Sequence, residues 1–374
     1  MVEIRFYNDF SCYDVYHGKK YHMVTDDGDA DVINVQFEQG FVINTLDFNT
    51  SHLVNQDRIG TMNYLMVQFP LLGRMIFEEN NEKFSMVPGD ACIYYPPNQK
   101  QIMDIPTHKY RSIVIGLNLD KFELKNVHPK KSREILEEIK QKYRIGERRF
   151  FKANDRIMVE VYALNSVMDN PPEIHDNVTY GIVSDLFYQL YRNEIQWCTM
   201  NSTLLDKPED KLYGELLKEY NEGKSIENIC DENDIDRFSI NHAFREMYGN
   251  TPLAFMKHHR MLRSAGIILL GQKNMKKVSE LSGYDTESKF AKSFKNTFGF
   301  RPKHFREEFL KDAYTTLLDR IRTYHNARPS FVFRYVASNP VCLLYVLFRD
   351  DILRNSKCQN LTGAGQYQYL VCSF

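Results

Sequence analysis

The stretch GYDTESKFAKSFKNTFGFRPKHFR, Gly283–Arg306, contains the segment FKNTFGFRP, which nearly repeats an earlier one, FREMYGNTP at Phe244–Pro252. The phenylalanine, the basic residue after it, the aromatic residue, the glycine and the proline recur in register, 50 positions apart. Each copy predicts the end of one helix and the start of another. The two rings share a face, the glycine can adopt positive φ, and the proline suits a first helical turn.

The residues before each copy predict a helix-turn-helix unit. SIENICDENDIDRFSINHA predicts a short helix, a turn with Asp236 as N-cap, and a second helix ending in Phe244. NMKKVSELSGYDTESKFAKS repeats this plan, with Gly283 in the turn and Thr286 as N-cap. The segment between them, Pro252–Leu270, predicts a single helix of roughly 28 Å. Two recognition helices beside it could lie about 34 Å apart, which is one turn of B-DNA.

Charge is distributed unevenly along a chain whose formal net charge is only -1. Residues 206–234 hold 4 Lys or Arg against 10 Asp or Glu, whereas residues 235–311 hold 15 against 7. A basic block of net +8 in an otherwise acidic chain is typical of a surface that binds nucleic acid. On charge alone, a solvated helical face remains the alternative.

The two units and the segment HHRMLRSAGIILL between them resemble the DNA-binding domain of AraC/XylS-type bacterial transcription regulators, over roughly residues 210–311. The small alanine that the family usually has in each first helix is Cys230 and Ser279 here, and Asp236 replaces a common cap serine. The resemblance implies a sequence-specific transcription regulator, an activator, whose two recognition helices read successive major grooves of promoter DNA.

The resemblance also assigns roles to single residues by position. The base-facing set is Phe238, Asn241 and His242 in the first recognition helix and Glu287, Ser288, Lys289 and Lys292 in the second. The predicted phosphate contacts, which position without specifying, are Arg245, Lys295 and Arg301. The chemistry fits, because Asn241 can pair with adenine and Lys289 or Lys292 with guanine. Glu287 can accept a hydrogen bond from cytosine, and Phe238 suits the thymine methyl group.

The N-terminal part reads as β structure. Short apolar runs such as DVINVQF, FVINTLDF and RSIVIGL, bounded by Gly, Pro, Asn or Asp, predict strands from about residue 30 to 120. VPGDACIYYPPNQK, Val87–Lys100, resembles a cupin barrel turn, but Asn98, Gln99 and Lys100 stand where metal-binding cupins have histidine. We therefore predict a cupin-like barrel with no metal and no cofactor. Five strand aromatics could line an apolar effector pocket or form plain core, which we favour: Phe41, Tyr64, Phe69, Tyr94 and Tyr95.

The predicted fold is α+β, with an N-terminal cupin-like β barrel and helices followed by an all-α double helix-turn-helix DNA-binding domain. We expect a cupin-like sensor domain at 1–128, a helical dimerisation or cap region and linker at 129–205, the AraC-type domain at 206–313 and an unassigned extension at 314–374. The polar segment 201–210 is the candidate linker. The extension is either an added packing or oligomerisation element or a segment that does not fold stably; its lack of periodicity favours the second.

The sequence argues against several other classes of protein. It has no evident signal peptide and no apolar run of membrane-spanning length, which favours a cytoplasmic protein. GxSxG, HExxH, P-loop and methyl-accepting Pro-Cys-His-Arg motifs are missing from it, so we expect no enzyme activity. The expected partners are double-stranded promoter DNA, RNA polymerase, a small-molecule effector and a second copy in a homodimer. The alternative is a small-molecule-binding or scaffold protein with a vestigial DNA surface.

Overall fold

A computed structural model defines the fold. It describes residues 5–6, 10–15, 18–38, 40–56, 64–79, 82–95, 100–122, 129–142, 148–169, 176–192, 213, 216, 226–232 and 236–309. The candidate linker at 201–210 and the extension at 314–374 lie entirely outside these described residues. Among the helices in the described ranges, none is both long and apolar enough to cross a membrane.

Two antiparallel sheets make up the N-terminal part. The larger contains β2 (Phe10–Val15), β3 (Gly18–Val24), β4 (Asp29–Phe37), β5 (Phe41–Asn49), β7 (Tyr64–Gly73), β10 (Asp90–Tyr94), β12 (Tyr110–Asn118) and β13 (Arg149–Lys152). The smaller contains β1 (Arg5–Phe6), β6 (His52–Gln56), β8 (Met75–Glu79), β9 (Glu82–Met86) and β11 (Lys100–Asp104). Their orders are β13-β10-β7-β12-β5-β4-β3-β2 and β1-β6-β11-β8-β9. This double sheet confirms the predicted cupin-like part of an α+β fold.

Both faces of the larger sheet are buried, because alternate residues of its central strands point to opposite sides. On β12, Ile115 packs on the helix side while Val114 packs towards the smaller sheet. On β10, Ile93 packs on the helix side and Cys92 packs towards the smaller sheet. One apolar cluster therefore fills the space between the sheets, and a second lies between the larger sheet and the helices.

The five strand aromatics lie within or beside these clusters. Phe41 and Phe69 belong to the helix-side cluster, and Tyr64 and Tyr94 belong to the cluster between the sheets. Tyr95 is half-buried and packs against the helix-side cluster. This packing agrees with the interpretation of these residues as core.

Helices follow and partly interrupt the sheets. Three pack beside the larger sheet: α1 (Pro129–Lys142), α2 (Asp155–Met168) and α3 (Asp176–Arg192). The C-terminal set is α4 (Ile226–Glu232), α5 (Arg237–Tyr248), α6 (Pro252–Leu269), α7 (Met275–Leu281), α8 (Glu287–Phe298) and α9 (302–309). The long helix predicted between the two helix-turn-helix units is α6, and Leu270 is its C-cap.

The predicted limits of the β structure were too narrow. β2 and β3 precede residue 30, and β13 lies inside the region that we predicted as helical, where it pairs with β10. A strand of four residues, Arg149–Lys152, has too few positions to show a period of two. Its backbone hydrogen bonds come from a partner about 60 positions earlier in the chain, which local sequence patterns do not reveal.

The N-terminal part contacts the C-terminal helices mainly through α2 and α6. Gly266 on α6 meets the backbone of α2 so closely that an added Cβ would lie 2.7 Å from the Ala163 nitrogen. The Tyr162 hydroxyl shares a hydrogen bond with Nδ1 of His259, and Asp155 accepts one from Nε2 of His258 at 3.0 Å. The α2–α6 interface therefore combines a backbone-to-backbone contact with polar contacts.

The interface makes stability depend on pH. Burial lowers the pKa of His259 to about 3, with the neighbouring His258 adding to the effect and Asp155 opposing it. The folded protein thus keeps this ring neutral, whereas in the unfolded chain it titrates near 6.5. Its contribution to stability is fully present above pH 6.5 and is lost as the pH falls towards 3.

We expect the free energy of unfolding to fall by about 1 kcal/mol more in the wild type than in His259→Gln between pH 7.5 and 5.5. Glutamine can still hydrogen-bond the Tyr162 hydroxyl but does not titrate. Urea unfolding at both pH values measures the difference, and the comparison of the two proteins cancels the titration of all other groups. Equal pH dependence in both proteins would contradict the prediction.

Candidate nucleic-acid interface

The first helix-turn-helix unit consists of α4 and α5. Asp236 is the N-cap of α5 and accepts a hydrogen bond from the Ser239 backbone nitrogen at 2.8 Å, which confirms the predicted cap. Hydrogen bonds from the Ser239 hydroxyl and backbone hold the pKa of Asp236 below its usual range. The helix ends at Gly249, whose φ of 71° is in the left-handed region that glycine favours. Ile229 and Cys230 of α4 are buried and form its inner face.

The second unit consists of α7 and α8. Thr286 caps α8 by accepting from the Lys289 backbone nitrogen at 3.3 Å, and Gly299 ends the helix with φ of 80°. In the turn, Tyr284 donates to the Ser293 hydroxyl at 2.8 Å and so ties the turn to α8. The predicted caps and glycines of this unit are confirmed as well.

An aromatic triad closes each unit, and the two triads are related by the same 50-residue offset. In the first, Phe244, Tyr248 and Phe255 lie with ring centroids 5.0 to 6.2 Å apart. The second has Phe294, Phe298 and Phe305, with centroids 4.7 to 5.2 Å apart. Phe255 and Phe305 were not among the predicted residues, although each lies three positions after the repeated proline and therefore belongs to the same repeat.

Six of the seven predicted base-facing side chains are exposed on α5 and α8. Exposed members are Phe238, His242, Glu287, Ser288, Lys289 and Lys292, while Asn241 is half-buried. The predicted phosphate contacts, Arg245, Lys295 and Arg301, are exposed too. Phe238 is 77% exposed, an unusual setting for a phenylalanine. The base-facing candidates thus lie on α5 and α8, whereas the phosphate candidates are divided among α5 (Arg245), α8 (Lys295) and the start of α9, where Arg301 directly precedes the helix.

Two exposed ion pairs lie on this surface. The Lys289 ammonium is 3.2 Å from Asp285, and the Arg237 guanidinium is 3.2 Å from Asp231. Exposed pairs of this kind contribute little to stability, about 0–1 kcal/mol, so both cations can exchange their carboxylates for another anion at low cost. Arg237 was not among the predicted residues, and its place in the first turn of α5 was the only signal for it.

Residues 229–308 match a family model described as a helix-turn-helix domain. Over 84 residues the chain is also 27% identical to the HTH-type transcriptional regulator AlkR of Acinetobacter baylyi. This region is an AraC/XylS-type helix-turn-helix domain. The AlkR match covers 22% of this chain and 28% of AlkR, so it spans little more than a quarter of that relative. The AraC/XylS-type domain is therefore the part of the chain to which the sequence similarity applies.

Among solved structures, ToxT from Vibrio cholerae O395 is similar at 12% identity, covering 72% of this chain and 97% of ToxT, with a TM-score of 0.26. The AraC-like transcriptional activator CuxR is similar at 14% identity, covering 68% of this chain and 85% of CuxR, with a TM-score of 0.30. The assignment of the AraC/XylS-type domain rests on the sequence match and on the two units with their caps.

Proposed function

We propose that this protein is a sequence-specific, DNA-binding transcription regulator that acts as an activator. The observation that carries the proposal is the pair of capped helix-turn-helix units on either side of α6, each with an exposed polar face. In this proposal α5 and α8 enter successive major grooves of double-stranded promoter DNA. In this proposal the predicted base-facing residues contact base edges, and the predicted phosphate contacts fix the position of α5 and α8 on the duplex.

The proposal is tested by selecting duplexes from a random library with the full chain and then measuring their affinity over a range of salt concentrations. We expect a preferred sequence with two half-sites about one helical turn apart. Affinity should fall steeply with salt, because each neutralised phosphate adds about 0.9 to the logarithmic slope. A flat salt dependence, or no preferred sequence, would contradict the proposal.

Replacing Lys292 by Ala is expected to weaken binding about tenfold and to relax base preference in one half-site, since a base contact is worth about 1–3 kcal/mol. The matched control is Lys295→Ala on the same helix, a predicted phosphate contact. It should weaken binding to all sequences by a similar factor. Gel-shift titrations at fixed salt, on duplexes that vary one half-site base, separate the two effects. Unchanged affinity and preference in Lys292→Ala would contradict its role.

In this proposal each predicted domain has its own role. The sensor at 1–128 and the helical region at 129–205 would control the domain at 206–313 through an effector or through homodimerisation. The α2–α6 contact supports this route, and Arg111 on β12 adds to it by donating from Nε to the Asn165 side chain of α2 at 3.2 Å. The barrel, α2 and α6 thus form one continuous set of contacts. Contact with RNA polymerase is part of the same proposal.

A second candidate function is a small-molecule-binding or scaffold protein with a vestigial DNA surface. The observation that favours it is the acidic character at the start of α8, where Glu287 is exposed and Asp285 pairs with Lys289. The exposed Lys292 and Lys295 on the same helix outweigh these carboxylates. In the salt titration, a scaffold would bind DNA without the steep slope expected of a regulator.

A further inference from the structure

A basic cleft separates α6 from the second helix-turn-helix unit. It has a volume of about 460 Å³, and its walls come from α6, the α7–α8 turn and α8. Four cationic residues line it: Lys257, Arg260, Lys289 and Lys292. Among the described residues, no acidic side chain lines the cleft. Asn296 adds an amide to the same wall. Two of these cations are predicted base-facing residues, whereas Lys257 and Arg260 have so far had no role.

The cleft depends on a close approach at Gly283. This residue has φ of 70°, and a Cβ added there would lie 2.5 Å from Nη1 of Arg260. Glycine suits the turn because of its positive φ, and its lack of a side chain leaves room for the Arg260 guanidinium beside it. The Arg260 guanidinium therefore lies next to the turn and lines the cleft together with residues of α8.

The cleft lies on the side of α6 that faces away from the N-terminal part. At about 100° per residue, Lys257 and Gly266 are about 180° apart around the helix. Gly266 packs against α2, so Lys257 and the half-buried Arg260 stay accessible when the α2–α6 interface is formed. One face of α6 thus packs against α2, and the opposite side carries Lys257 and Arg260 towards the cleft.

We propose that this cleft receives the sugar-phosphate backbone of DNA, with Lys257 and Arg260 binding phosphates next to the groove that α8 enters. The inference rests on the proposed function and adds α6 as a third DNA-contacting element. Four cations around one cleft suit phosphate, and the same wall carries Lys289 and Lys292, which are predicted to face bases. Phosphate contacts from α6 fix the register of the second unit and add no sequence preference of their own.

The test measures the salt dependence of binding by the full chain, with a duplex selected as above. Lys257→Ala is expected to lower the logarithmic salt slope by about 0.9 and Lys257→Glu by more, with base preference unchanged. Arg263→Ala is the matched control, because Arg263 is an exposed cation of α6 whose charge acts on Tyr162 at the α2–α6 interface. It should leave the slope unchanged. Circular dichroism checks that the variants keep their helices.

The outcomes separate this inference from the proposed function. If the wild type binds no duplex with a steep salt slope, both fail. If the wild type binds steeply and both Lys257 variants keep its slope, the α6 contact alone is wrong. Inorganic phosphate titrated against the unliganded protein gives a further readout. Tight, Lys257-dependent phosphate binding with an unchanged DNA slope would assign the cleft to a small anion and would overturn the inference.

Discussion

Phe294→Ala is expected to lower the free energy of unfolding of the AraC/XylS-type domain by about 3–5 kcal/mol. Phe294 is fully buried. The centroid of its ring lies 5.6 Å from that of Phe290, 4.7 Å from that of Phe298 and 5.2 Å from that of Phe305. Removing it leaves a cavity where α8 and α9 meet, and neighbouring rings cannot collapse into that space without breaking their own contacts. A loss of this size is comparable with the whole stability of a small domain.

Phe300→Ala is the matched control, because Phe300 is 45% exposed and lies just beyond the C-cap of α8. Its loss should change stability by no more than about 0.5 kcal/mol. Urea unfolding measures both variants, and hydrogen exchange of the α8 amides shows whether the loss is confined to the second unit. Similar effects of the two substitutions would contradict the buried position of Phe294.

Gly266→Val should cost about 3 kcal/mol or more, at the upper end of what overpacking costs. The first added carbon would lie 2.7 Å from the Ala163 nitrogen and 2.9 Å from the Tyr162 carbonyl carbon. Both are backbone atoms, so no side chain can rotate to make room, and α2 must separate from α6. The higher helix propensity of valine over glycine recovers only a few tenths of a kcal/mol.

Ala254→Val serves as the control for this substitution, since Ala254 is an exposed residue of the same helix. It should cost about 0.5 kcal/mol through helix propensity alone. Urea unfolding and hydrogen exchange of the α2 amides measure the two variants. If Gly266→Val were as mild as Ala254→Val, the close packing of α2 on α6 would be wrong.

The features that the sequence predicted well are set by local chemistry. Asp236 and Thr286 are N-caps, and Gly249 and Gly299 end their helices, because the unpaired backbone groups of helix ends need these residue types. The repeat of such signals at a constant offset indicated two units. Exposure of the predicted DNA-facing residues followed from the helical period.

The features that it missed depend on partners far away in the chain. β13 exists because β10 offers it a free edge, and nothing within its four residues requires a strand. Nothing in the sequence around Gly266 indicated that the backbone of α2 packs against it. The sequence also did not predict that the Arg260 guanidinium of α6 lies next to Gly283 in the turn between α7 and α8. Contacts between distant elements leave no periodic pattern in a single sequence.

The backbone contact at Gly266 also limits how the two halves could be recombined. A biosensor built by joining a foreign sensor to residues 206–313 would place an unrelated surface against α6. That surface would have to offer a helix whose backbone can approach Gly266 as closely as the backbone of α2 does at Tyr162 and Ala163. We expect a graft that carries α2 along with the AraC/XylS-type domain to tolerate exchange of the barrel better than one cut at the candidate linker.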